Sequence, residues 1–292
     1  MFRPAALACL ALAATLGPAL AQTVPAQIVP VPRLPGEMAP PLEPRRIPSH
    51  CIALAQGPTV RLHRAAFGDA LAQDSIRLHY IGHASFALET AGGLTAVTDY
   101  TGFTGTRDFV PDVVTMNNAH STHYTSRPDP RIPHVLPGWE QDSQPRTHEL
   151  ELGEMLVRNV PTDVRGMGGI RPHGNSIFIF EVAGLCVGHL GHLHHEPGPE
   201  DYAMLGRLDV VMVPVDGGYT MDVAVMADVI RRLRSSVIIP MHWFSYAGLE
   251  RFITEMGPDF AVQRVGGPAV DLSLAGLPQR PTILVLEPQA ID

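Results

Sequence analysis

No lysine occurs anywhere in this chain of 292 residues; all 21 of its basic residues are arginine. Schiff-base chemistry and a lysine general base are therefore excluded. Positive charge is also scarce in net terms. The formal charge of −8 offers no basic field to phosphates and argues against a nucleic-acid partner. Long hydrophobic runs are missing too. The longest, Ala5 to Leu16, is short of the roughly 20 apolar residues that span a bilayer. No stable membrane insertion is expected once that segment is removed.

What is present near the start reads as an export signal. Arg3 gives the positive end, the apolar run follows, and Ala19-Leu20-Ala21 supplies a small-residue cleavage site before Gln22. A periplasmic or secreted protein is expected, with residues 1–21 as signal peptide. Residues 22–50 are rich in proline and read as an extended tether, followed by one domain over 51–292. Cysteine is rare, with 3 in the chain. Removal of the signal takes Cys9 and leaves Cys51 and Cys186, which could pair in an oxidising compartment. Equally, Cys186 could be a small buried hydrophobe in its strand.

With 45% hydrophobic residues the chain is globular. Ser85–Glu89 and Leu94–Thr98, joined by Gly92-Gly93, suggest one hairpin; Ser176–Val182 and Leu185–Val187 suggest another. Val113–Met116, Asp209–Val215 and Val237–Met241 read as short buried strands. The spacing of Val223, Met226, Ile230 and Leu233 predicts a helix over about 221–234, with arginines near its C-terminus where the helix dipole favours cations. Hairpins first and a strand–helix–strand unit later imply an α/β sandwich.

Five of the 14 histidines, His120, His123, His189, His192 and His242, lie where apolar strands give way to loops. One such histidine is usually structural. Several converging from distant segments more often bind metal, because neutral imidazole suits zinc, manganese or iron. Their order and context resemble the metallo-β-lactamase superfamily, in particular the branch with ascorbate-phosphate lactonases and the N-acyl-phosphatidylethanolamine phospholipase D. Tyr80-Ile81-Gly82-His83-Ala84-Ser85-Phe86 followed by Thr98-Asp99-Tyr100 is similar to the family's opening. Asn118 to His123 stands in the place of its H-x-H-x-D-H loop, and His189 to His192 in the place of its H-x-G-D segment. Val237 to His242 is similar to its terminal strand and histidine.

The resemblance implies an αββα sandwich and a metal-dependent hydrolase acting on a small-molecule ester, lactone, amide or phosphodiester. The departures from the pattern bear on the metal. Asn118 replaces the first histidine, Thr122 the aspartate, and His192 the carboxylate that bridges two ions. An imidazole has one nitrogen to give, so one divalent ion per chain is expected, zinc first, with manganese or iron as alternatives. The expected ligands come from His120, His123, His192 and His242, with His189 or His173 nearby. Three ligands would leave a place for water; four would make the site structural. Asp216 is a candidate general base, or a turn residue before Gly217-Gly218. His83 is a candidate pocket residue, and Asp99 one that orients a ligand histidine. A mononuclear-iron oxidoreductase and a non-catalytic metal-binding protein are the alternative readings.

Overall fold

The computed structural model describes residues 49–51, 63–64, 66–166 and 168–291. The expected signal peptide, and the tether apart from Ser49 and His50, lie outside them. Among the described residues, no helix is long and apolar enough to cross a membrane.

Two sheets face each other. The first has seven strands in the spatial order His63–Arg64, Ala269–Ser273, Ser75–Gly82, Ser85–Thr90, Thr95–Val97, Val113–Met116 and His134–Pro137. The second has eight, ordered Ala261–Arg264, Thr282–Val285, Val237–Met241, Val210–Pro214, Leu185–His189, Gly169–Val182, Met155–Gly166 and Glu149–Glu151. Alternation along each strand sends one set of side chains between the sheets. Ile76, Leu78, Tyr80, Phe86 and Leu88 meet Val157, Phe178, Phe180, Val187, Met212 and Ile239 there.

The opposite face of the second sheet is also apolar. Ile177, Ile179, Cys186, Val211, Val213 and Ile238 pack against Met226, Val229 and Ile230 of helix Val223–Leu233 and Leu249 and Phe252 of helix Tyr246–Met256. Strands Leu185–His189, Val210–Pro214 and Val237–Met241 pair in parallel and are buried throughout. Burial on both faces is why their sequences are continuous apolar runs without alternation. Asp222 caps the first of these helices by accepting the Ala224 N–H, and Ser245 caps the second by accepting that of Gly248. On the first sheet's outer face, Ala87, Val97 and Val114 pack with residues outside the strands, among them Tyr100, Phe109, Ile132 and Trp139. The α/β architecture thus follows the resemblance, with loops covering the first sheet among the described residues.

Cys51 and Cys186 form a disulfide, their Cα atoms 5.8 Å apart. Cys186 is both a half-cystine and a fully buried strand residue, so the two readings of it hold together. Beside it, Glu181 accepts hydrogen bonds from Arg158, Ser49 and the His50 amide.

Candidate metal centre

The site is built on strand ends. His83 follows Ser75–Gly82, Asp99 follows Thr95–Val97, Asp216 follows Val210–Pro214 and His242 follows Val237–Met241, while His123 lies on the loop after Val113–Met116. A strand ends when its backbone leaves the extended region, and here it does so sharply. His83, Asp99 and His242 have φ of 54°, 51° and 56°. Left-handed backbone is costly for residues with a Cβ and persists where surroundings enforce it, characteristically at functional sites. The His242 N–H donates to the His83 carbonyl (2.7 Å), which also accepts the Tyr80 hydroxyl (2.7 Å).

Three histidines meet at this point. One nitrogen from each of His83, His123 and His242 lies within 4.8 Å of the others. Their ring centroids are 4.2 Å apart for His83 and His242, 5.1 Å for His83 and His123, and 5.3 Å for His123 and His242. His123 Nδ1–H donates to Asp99 Oδ2, and His242 Nδ1–H donates to Asp216 Oδ2 at 2.9 Å. Each carboxylate fixes its histidine's proton on Nδ1 and leaves the Nε2 lone pair free, the form a metal needs. Burial and the neighbouring imidazoles of His242 and His123 push His83 down to about 4, so it is neutral near pH 7. Nε2 of His83 and Nε2 of His123 are buried with no hydrogen-bond partner. Unpaired buried nitrogens are expensive, and a divalent cation is the group this donor set fits.

Other expected residues are placed differently. His189 is fully buried, but it is no ligand. Its Nε2–H donates to the Ala84 carbonyl (2.7 Å), while Nδ1 accepts from Asn117 Nδ2 (3.1 Å) and from the Gly191 N–H (3.2 Å). Both nitrogens are spent on the protein. His173 belongs neither to the trio nor to the ring contacts around it among the described residues; it sits at a left-handed position in strand Gly169–Val182, its N–H on Asp163. His120 is exposed at the rim, with its ring 5.9 Å from that of His123 and Nδ1 against Thr122 Oγ1. The structure brings His123 and His242 together with His83, while His120 stands at the edge of the group. His192 flanks the trio, 4.5 Å from His123 and 5.2 Å from His242 between centroids.

Of the two readings of Asp216, the turn residue fits its hydrogen bonds, and it is not a free base. Oδ1 accepts the N–H groups of Gly218, Tyr219 and Thr220, and Oδ2 accepts Thr220 Oγ1 as well as His242. Burial pushes this carboxyl up, but His242, Thr220 and the Gly218 amide together hold it well below the usual carboxylate range. It orients His242. Tyr219 and Phe244 also neighbour the site, and of these Phe244 gave no signal in the sequence. Phe244 is exposed, with its ring 5.1 Å from His242 and 5.7 Å from Tyr219, and the two aromatics form an apolar wall beside the trio.

The family profile described as the beta-lactamase superfamily domain matches residues 77–242. A UPF0173 protein of Pyrococcus furiosus is 23% identical over 186 residues, covering 59% of this chain and 85% of that protein. One from Pyrococcus abyssi is 21% identical over 187 residues, covering 59% and 86%. Among solved structures, a candidate zinc-dependent hydrolase of the metallo-β-lactamase superfamily from Thermotoga maritima is 27% identical, with a TM-score of 0.54 over 73% of this chain and 100% of that one.

Proposed function

Because this chain belongs to the metallo-β-lactamase superfamily, we propose that it is a metal-dependent hydrolase of a small-molecule ester, lactone, amide or phosphodiester. The observation that carries this is the trio of His83, His123 and His242, with two buried nitrogens left unpaired. His123 and His242 are held as ligands by Asp99 and Asp216, and His83 completes the set. No carboxylate bridges two positions in this trio, which supports one ion per chain. A divalent metal, zinc first, supplies Lewis acidity and an acidified water when bound. The protein's own part is to hold three imidazoles at one point and to line one side with Tyr219 and Phe244.

We further infer an exported protein, periplasmic or secreted. The Arg3-led apolar segment supports this, as does a disulfide of the kind that oxidising compartments maintain.

Elemental analysis of the purified chain tests the reading. About one equivalent of metal is expected per chain, absent from His123→Ala and His242→Ala together with hydrolytic activity. No metal in the wild type would overturn the function, and two equivalents surviving dialysis would overturn the single ion. Mass spectrometry of the exported protein should find Gln22 first; an intact Met1 would overturn export.

A further inference from the structure

Beside the trio runs a chain of hydrogen bonds whose direction is forced at one end. The Arg165 backbone N–H meets His194 Nδ1 at 2.7 Å. A backbone amide can only donate, so His194 Nδ1 carries a lone pair, and the proton of the neutral ring sits on Nε2. That Nε2 lies 2.6 Å from His192 Nδ1. His194 is thus the donor in this second bond, and His192 Nδ1 the acceptor. A neutral His192 then has its proton on Nε2. This is the reverse of His123 and His242, whose protons are drawn to Nδ1 by carboxylates.

We propose that His192 is not a metal ligand but an N–H donor directed at substrate, with its Nε2–H placed to stabilise the oxygen on which negative charge develops. Three observations carry this: the forced direction of the bonds, the position of the ring on the trio's flank, and the access to it. Nε2 of His192 has no protein partner among the described residues, and the residue is 9% exposed. A nitrogen that bears a proton has no lone pair to offer an ion. Ligation by His192 Nε2 would require the proton to move to Nδ1, hence onto the side facing His194. His194 would then have to accept through Nε2 and carry its own proton on Nδ1, against the Arg165 amide. His194 is accordingly a positioning residue, and so is the backbone of Arg165. The ring of His192 is itself anchored, since its backbone N–H donates to Asn175 Oδ1 at 2.8 Å.

What the donor acts on rests on the hydrolase reading; which nitrogen holds the proton does not. A preorganised donor aimed at a developing oxyanion is worth on the order of 10²–10³ in kcat. No bond is made or broken by His192 in this role, and its proton stays on Nε2.

The test is long-range 1H–15N spectroscopy of the full mature chain labelled in its histidines, with His192 assigned by comparison with His192→Ala. The expected result is His192 protonated at Nε2 and bare at Nδ1, with or without zinc. After substitution by 113Cd, couplings should reach the nitrogens of His83, His123 and His242 and not those of His192. A proton on Nδ1, or a cadmium coupling at His192, overturns the proposal. His194→Ala should leave metal stoichiometry unchanged while releasing His192 into a mixture of tautomers; an unchanged tautomer would remove His194 from its role. With p-nitrophenyl acetate and bis(p-nitrophenyl) phosphate as probes, His192→Ala should lower kcat about 100-fold with KM little changed. Metal loss in His192→Ala, with circular dichroism showing a retained fold, would also overturn it. A wild type that binds no metal and hydrolyses neither probe defeats the hydrolase reading, while the tautomer remains readable in the spectrum.

Discussion

At the scale of single residues, the site sorts its histidines by where each proton is held. Asp99 draws the proton of His123 to Nδ1 and Asp216 does so for His242, whereas His189 has both nitrogens occupied by Ala84, Asn117 and Gly191. Asp99→Asn keeps the size and tolerates the left-handed backbone, but it gives up the charge that orients His123. Metal affinity should fall about 10–100-fold in a chelator competition, with little change in thermal stability. His189→Ala should do the opposite. It retains the metal but leaves buried partners unpaired, costing about 2–4 kcal/mol in urea unfolding. Five histidines at strand–loop junctions could be found in the sequence because apolar runs stop abruptly there. Their roles could not, since roles depend on partners brought in from elsewhere. His83 lies within Tyr80–Phe86 and approaches His242 only after the chain has folded through both sheets. The separation of His189 from His192 by two residues is equally uninformative until the turn between them is known.

At the scale of elements, that turn is decided by Gly191. Its φ is +61°, and a Cβ there would stand 2.6 Å from both Asn117 Nδ2 and Asn175 Oδ1. Gly191→Ala should therefore destabilise by about 2 kcal/mol or more and disturb His192, whose N–H is bound to that same Asn175 oxygen. Chemical denaturation read alongside the His192 side-chain resonance checks both. Arg77 offers a second element-level test. It is 1% exposed in strand Ser75–Gly82 and paired to Asp271 and Glu89. Arg77→Ala strands two carboxylates and should cost about 3–5 kcal/mol. Helix Val223–Leu233 was legible from its spacing, and the parallel strands from their unbroken apolar character. Strand Met155–Gly166 was not, because Asn159, Pro161, Thr162 and Asp163 interrupt its pattern. Asn159 and Thr162 are satisfied by partners the sequence does not reveal: Asn159 binds Ser176 and the Arg146 carbonyl, and Thr162 binds Asn175. Helix Tyr246–Met256 carries Leu249, Phe252 and Met256 on one buried face behind a serine cap, so its signal was present in spacing that resembles the first helix.

At the scale of the whole molecule, acid stability should depend on Glu181. Burial raises its carboxyl, but Arg158, Ser49 and the His50 amide hold it below its ordinary value. A lowered folded value stabilises fully above the unfolded value of about 4.3 and is lost as pH falls through the folded one. Glu181→Gln should therefore flatten the acid limb of a stability profile read by denaturant midpoints. Cys186→Ser should cost about 2–5 kcal/mol under non-reducing conditions. The disulfide has a further consequence, which concerns connectivity. Cys51 and Cys186 are 135 residues apart in sequence, so the chain is a covalent ring with two tails. His83 and His123 are carried on the ring, and His242 on the C-terminal tail. A single protease cut within the ring, between Cys51 and Cys186, cannot separate His83 or His123 from His242. Such a nicked molecule migrates as one species until a thiol is added, and where the cut falls between His83 and Cys186 it only then comes apart into pieces that each hold part of the histidine trio.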